Sequence, residues 1–142
     1  MHKCDSIGKY IAQVYRMNGK LASKSFSKFG IGSGQYVFLI HLYSNDGINQ
    51  ECISSNLNID KGTTARALKR LEELGYIIRV VDEEDKRAYR VFLTHKAKCI
   101  EKEFFEILAE ANRVLTKDFT EEEKALAISL LKRMVNNSKN HV

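Results

Sequence analysis

Proline is missing altogether from this 142-residue chain, and glycine occurs only eight times. That composition excludes collagen-like, proline-rich and linker-type sequences. The lack of proline also removes the strongest breaker of helices, so long helices are permitted. Cysteine is sparse: Cys4, Cys52 and Cys99 are odd in number and far apart. They make no disulfide framework, and such usage suits a reducing compartment. No apolar run approaches the roughly 20 residues that a membrane span requires. Met1-His2-Lys3-Cys4-Asp5 is not followed by an uninterrupted apolar stretch, so no signal peptide is expected. The sequence reads as cytoplasmic, with no membrane partner. It shows no internal repeat and no low-complexity stretch.

What is present is ordinary for a globular domain, with 44% hydrophobic and 29% charged residues. A chain of this length buries about 68–70% of its unfolded surface, enough for a core without staples. The 23 Lys and Arg exceed the 18 Asp and Glu, giving a net charge of +5 that hints at an anionic partner. Placement narrows the hint. Residues 1–48 hold six basic and two acidic side chains, residues 49–94 hold eight of each, and residues 95–142 hold nine and eight. The excess therefore sits in the first third, where Arg16, Lys20, Lys24 and Lys28 recur every four residues. Like charges at that spacing repel by roughly a few tenths of a kcal/mol each. The stripe reads as a solvated helix face, or as a contact for flanking phosphate, an acidic partner or an anionic effector.

Hydrophobic spacing divides the chain into three parts. Over residues 5–29, Ile7, Tyr10, Ile11, Val14, Leu21 and Phe29 mostly fall on one helical face. Gly30-Ile31-Gly32-Ser33-Gly34 ends that helix, and Gln35 stands three residues after Gly32, where a capping-box glutamine would sit. Tyr36 to Tyr43 reads as a buried helix stopped by Asn45-Asp46-Gly47. Asn49 can cap a short helix reaching about Asn56. Asp60 can cap the next one, Lys61 to Leu74, which ends at Gly75. Its buried stripe is Thr64, Ala67, Leu68, Leu71 and Leu74. The segments from Tyr76 to Val81 and from Tyr89 to Leu93 are rich in β-branched and aromatic residues and read as strands, joined by the polar loop Asp82 to Ala88. Helix, turn, helix, strand, charged loop, strand is the order of a winged helix-turn-helix. In the last third, Ile100, Phe104, Ile107, Leu108, Ala111 and Leu115 mark one helix face. Thr120 to Glu123 is a capping box opening a final helix with Leu126, Leu130, Leu131, Met134 and Val135, expected to fray from Asn136.

The middle part resembles a known family. Ile59-Asp60-Lys61-Gly62-Thr63-Thr64-Ala65-Arg66 looks like the recognition-helix entry of the MarR (multiple antibiotic resistance regulator) family. The run from Leu71 to Arg79 resembles its helix exit and first wing strand. Asp85-Lys86-Arg87-Ala88 resembles its Asp-x-Arg wing tip, and Leu93-Thr94 the end of its second wing strand. Ile31 and Gln35 match the start of its second helix, with Gly32 in place of the usual Ser or Thr. The family also more often has Ser at Gly62 and Thr at Ala65. The resemblance implies a mainly α fold with a small β-hairpin wing, residues 1–142 forming one domain. Residues 31–94 would be the winged DNA-binding part, and 1–30 and 95–142 the dimerisation helices. It implies a homodimeric transcription regulator, here expected to repress palindromic operators and to be released by a small ligand, with double-stranded DNA and a second copy of the chain as partners. A small aromatic anion is the effector type it suggests, with Tyr10, Arg16, Phe38 and His41 as plausible liners, although core packing competes for the aromatics.

The residues themselves fit that reading. Opposite the buried stripe, the helix after Asp60 offers Lys61, Gly62, Thr63, Arg66, Lys69 and Arg70. Arg66 has the reach and the two-pronged geometry for guanine O6 and N7. Thr63 can bond a base or phosphate or touch a thymine methyl. Gly62 allows close backbone approach, and the amides of the helix start favour a phosphate. Taken alone this is a solvated face, with Lys69 and Arg70 able to pair with Glu73; the winged context turns it into a DNA contact. At the wing tip, Asp85 can orient Arg87, and Arg87 with Lys86 can approach a minor groove. Asp82, Glu83 and Glu84 lie at the wing root, where they would repel phosphate if they faced it.

Other chemistries find little support. There is no Ser-His-Asp, Cys-His or phosphate-loop arrangement, so no enzyme and no cofactor are expected. The glycine cluster follows a helix and is not a dinucleotide fingerprint. His2, His41, His95 and His141 lack metal-ligand spacing, so no metal is expected. A redox-responsive regulator of the same fold is an alternative. Cys4 lies about a turn early for the peroxide-sensing pattern, and Cys52 and Cys99 fall on expected core positions, as buried structural thiols. A winged-helix protein-interaction module is a further alternative, opposed by the basic side chains on helix and wing tip.

Overall fold

A computed structural model describes residues 5–141. Ser6 caps α1 (Ile7–Phe26), its hydroxyl accepting from the Lys9 amide at 3.2 Å. A 3-10 turn, Ser27–Phe29, follows and stops at Gly30, whose φ of +73° suits a residue without Cβ. The Gly32 amide then donates to Gln35 Oε1 at 2.7 Å, the glutamine half of a capping box, ahead of α2 (Tyr36–Ser44). Asn49 caps α3 (Gln50–Leu57) by accepting from the Glu51 amide. Asn58, in the left-handed region at φ +53°, makes the turn into α4 (Lys61–Glu73). Asparagine tolerates that conformation better than most side chains. Gly75 turns the chain into the sheet at φ +85°.

The wing holds three strands, not two. β2 (Ile77–Val81) and β3 (Tyr89–Leu93) pair antiparallel from Ile77 opposite Leu93 to Val81 opposite Tyr89. A two-residue β1 (Ile48–Asn49) lies on the far side of β3, with Ile48 opposite Val91. The hairpin expected from the sequence is thus anchored to the helix-turn-helix by a strand too short to show any periodicity. Two helices complete the chain: α5 (His95–Leu115), capped by Thr94, and α6 (Glu121–Lys139), with the Thr120–Glu123 capping box formed in both directions. The last helix runs on to Lys139 instead of fraying from Asn136.

One core joins these elements, α6 excepted. Phe26 of α1 lies 5.5 Å from the ring of Tyr36 and 4.8 Å from that of Phe104 on α5. Leu39, Leu42, Ile53, Leu68, Leu71, Ile77 and Val91 extend it beneath α4 and the wing, all essentially inaccessible to solvent. Two tyrosines put hydroxyls to use at its edges: Tyr76 donates to the Phe29 carbonyl and Tyr43 to that of Ala97, both at 2.6 Å. Burial, followed by the negative field of Glu101, pushes the Tyr43 phenol well above its ordinary pKa. Leu74 is only half-buried.

Several sequence expectations change here. Phe38 belongs to this core, the packing role that competes with lining a ligand, and His41 accepts from Asn56 Nδ2 at 3.2 Å. Cys52 and Cys99 are exposed rather than buried. Each lies one residue away from the buried position of its helix, Ile53 in α3 and half-buried Ile100 in α5, and adjacent helical residues point about 100° apart. Cys4 lies outside the described residues. α6 buries none of its side chains within the chain, and Leu126, Ile128, Leu130, Leu131 and Val135 stand in solvent. So do Ile7, Tyr10, Ile11 and Val14 of α1.

Candidate nucleic-acid interface

α4 buries Thr64, Ala67, Leu68 and Leu71, so the faces carrying Thr63, Arg66, Lys69 and Arg70 point outward. The start of α4 is tied twice. Lys61 Nζ lies 3.5 Å from Glu51 Oε1 of α3. The Asp60 carboxylate accepts from the Thr63 amide at 2.8 Å and from the Thr63 hydroxyl at 2.7 Å. Arg66 Nη2 in turn donates to Thr63 Oγ1 at 3.2 Å. The Thr63 amide bond, reinforced by the hydroxyl and by Arg66, holds the Asp60 carboxyl below its ordinary aspartate pKa. Because the folded pKa is depressed, the ionised cap persists at neutral pH and is lost only in acid, as pH falls through that lowered value. The Thr63 amide, offered to a phosphate by the sequence, is thus already taken by Asp60. Gly62 leaves room for this arrangement: a Cβ there would stand 3.3 Å from Asp60 Oδ1 and 3.4 Å from Arg66 Nη1. On the same helix Arg70 pairs with Glu73 at 3.6 Å, as its spacing anticipates, while both side chains stay half in solvent.

The wing loop is held by its own acids. The Asp82 amide donates to the Ala88 carbonyl at 2.9 Å, and its side chain accepts from the Glu84 amide, also at 2.9 Å. That amide, with the Asn49 side chain, lowers the Asp82 pKa. Asp85 Oδ1 accepts from the Arg87 amide at 3.1 Å and lies 3.5 Å from Arg87 Nε. The expected orientation of Arg87 by Asp85 is present, yet 93% of the Arg87 side chain remains exposed.

Two grooves open beside the wing. Arg87, Ala88 and Tyr89 face Lys61 and its partner Glu51, with Ala65, Gln50 and Ser54, across a cleft of about 290 Å³. Asp82, Glu83 and Glu84 line a different groove, with Val80, Arg90 and Phe92. The basic tip and the start of α4 therefore share one side of the molecule, while the acidic root opens elsewhere. Two contributors were not singled out from the sequence. Gln50 lines the cleft, and its buried Oε1 has no hydrogen-bond partner. Arg79 braces the wing, 3.2 Å from Glu72 of α4 and 5.3 Å from the centre of the Tyr89 ring. In the sequence, Gln50 looks like any polar residue in a first helical turn, and Arg79 like an exposed strand charge.

The basic stripe of α1 and the turn after it divides. Lys28 pairs with Glu103 of α5. Arg16 and Lys20, with Tyr15, Ser23, Ser33 and Tyr36, line an open cleft of about 390 Å³ between α1 and the start of α2.

Comparison with known proteins agrees with this geometry. Residues 31–89 match the sequence profile described as "MarR family". Over 133 residues the chain is 31% identical to the HTH-type transcriptional regulator YybA of Bacillus subtilis, covering 94% of this chain and 89% of that protein. The crystal structure of a MarR transcriptional regulator from Methanosarcina mazei Go1 superposes with a TM-score of 0.92 at 43% identity, over 96% of this chain and 98% of the other. A putative MarR-family regulator from Listeria monocytogenes, crystallised with a 26mer DNA, superposes with a TM-score of 0.90 at 28% identity, over 96% and 91% of the two chains.

Proposed function

The chain belongs to the MarR family of winged helix-turn-helix proteins, DNA-binding transcriptional regulators and not enzymes, and from that premise we propose that it is a homodimeric repressor of palindromic operators, released by a small ligand. The observation that carries the DNA contact is the shared cleft between Lys61 and Ala65 of α4 and Arg87 of the wing. It sets a helix for a major groove beside an arginine for the adjoining minor groove. Lys61, Gly62, Thr63, Arg66, Lys69 and Arg70 contribute from α4, and Asp85, Lys86 and Arg87 from the wing. The crystallisation of the Listeria relative with a 26mer DNA supports a double-stranded partner.

The second copy is argued from the apolar residues that α1 and α6 leave in solvent. Contiguous apolar surface on a chain of this size marks an interface, and a two-fold dimer is the commonest way to cover it. Residues 1–30 and 95–142 supply these helices, and residues 31–94 supply the reader. A two-fold protein favours inverted-repeat DNA, with half-sites about one helical turn apart. For the effector, the open cleft bearing Arg16 and Lys20 beside Tyr15 and Tyr36 suits a small aromatic anion. The cytoplasm is the compartment for such a repressor, and among the described residues no helix is long and apolar enough to cross a membrane. A second reading, control by oxidation, draws on exposed Cys99, whose Sγ lies 3.3 Å from His95 Nε2. Mass spectrometry after mild peroxide, with DNA titration of the same sample, separates it from ligand release.

Arg87→Ala tests the wing. It is expected to weaken binding to every duplex by a similar factor and to lower the salt slope by about 1 for each phosphate left without its arginine. Titrations at several salt concentrations measure both. A weakening confined to one sequence would make Arg87 a base reader, and duplex binding without salt dependence would favour a protein-interaction module.

A further inference from the structure

The hydrogen bonds at the start of α4 have only one possible direction. An ionised carboxylate can only accept and a guanidinium can only donate. Thr63 sits between one of each, 2.7 Å from Asp60 Oδ2 and 3.2 Å from Arg66 Nη2. Its hydroxyl proton is therefore committed to Asp60, and its oxygen accepts from Arg66. A threonine so engaged has no proton left for a phosphate oxygen or a base acceptor. What it offers DNA is its methyl group and the free lone pair of Oγ1.

Arg66 gains in return. Its side chain is long and exposed, and ordering it on DNA costs rotamer entropy. Holding one Nη in advance reduces that cost. A Cβ at Gly62 would stand 3.3 Å from Asp60 Oδ1 and in ordinary contact with Arg66 Nη1. The field of the Asp60 charge also reaches the guanidinium, which favours the Thr63-bonded rotamer over a free one.

We propose that Asp60 and Thr63 are positioning residues that hold Arg66 as a preset guanine-reading fork, and that Thr63 meets DNA as an acceptor and a methyl surface, not as a hydroxyl donor. The proposal rests on α4 being the base-reading helix. It predicts that selectivity at one base position depends on a hydroxyl that never donates to the DNA.

The test uses the full chain and a duplex enriched by it from random DNA, alongside the same duplex carrying 7-deazaguanine at each guanine in turn. Thr63→Val keeps the γ-methyl and the backbone amide that bonds Asp60, so the helix cap survives; thermal unfolding checks this. Thr63→Val is expected to reduce discrimination against the 7-deazaguanine duplex by about tenfold, read as the ratio of its affinities for the two duplexes. Thr63→Ser, which restores the hydroxyl, is expected to recover discrimination. Asp60→Asn, which can still cap the helix, is expected to lose it in part. If Arg66→Ala abolishes discrimination while Thr63→Val keeps it in full, Arg66 reads guanine unaided and the positioning role is overturned. If Arg66→Ala itself leaves discrimination intact, the assignment of α4 as reader fails, and the proposal with it.

Discussion

Arg66→Ala is expected to cost about 1–3 kcal/mol of binding at each half-site and to relax the preference at one base position. Both subunits of a dimer carry the change, so operator binding should weaken by the sum of two such penalties if the half-sites act independently. The effect is large because Arg66 stands outward from a helix whose other face is locked into the core by Leu68 and Leu71. Nothing behind it moves when its side chain is removed. Its hydrogen-bond partner within the chain is the surface hydroxyl of Thr63, so truncation leaves no buried group unsatisfied and stability should hardly change. Binding isotherms on matched and base-substituted duplexes measure the weakening, and thermal unfolding provides the control. An Arg66→Ala protein that binds every sequence as the parent does would remove Arg66 from the interface.

The second large effect concerns the two terminal helices. Leu131→Glu on α6 is expected to yield a monomer whose operator affinity falls by roughly 10²–10⁴-fold, the gain normally conferred by linking two half-site contacts. Leu131 is 51% exposed in the single chain, so a glutamate there meets water and should not disturb the monomer fold. In a dimer the same carboxylate would be buried against apolar surface, which is costly without a partner. Ile11→Glu on α1 makes the same demand from the other helix. Sedimentation velocity reads the association state and circular dichroism the helix content. Dimers that persist in both variants would show that these faces are covered by something else.

Much of the fold could be read from capping chemistry. Asn49, Asp60 and Thr120 each cap the helix expected of them, and Gly30 and Gly75 turn the chain where the helical pattern stops. Such residues act on their immediate neighbours, so their meaning survives without a tertiary context. β1 was not readable, because two residues cannot show an alternation and their pairing partner lies more than forty positions away. The cysteines misled for a related reason. A one-residue error of phase in a helix moves a side chain by about 100°, and that separates Cys99 from the half-buried Ile100 beside it.

The site was legible in its residue types but not in its wiring. Arg66 and Arg87 could be picked out, and so could the pairing of Asp85 with Arg87. The bond from Arg66 through Thr63 to Asp60 depends on three rotamers at once, which no spacing rule specifies. Net charge proved a poor guide. The winged segment is neutral as a whole, yet Asp82, Glu83 and Glu84 at the wing root open onto a different groove from Arg87 at its tip. Placement, and not the total, is what bears on the proposed phosphate contact.

The decisive measurement is selection of bound sequences from random duplex DNA by the intact protein. A two-fold reader of this geometry should enrich an inverted repeat with half-sites about one helical turn apart, roughly 10 base pairs centre to centre. Each half-site should hold a guanine whose importance disappears in Arg66→Ala. Recovery of sequences with no common half-site, or of one indifferent to Arg66, would contradict a dimer that reads DNA through α4.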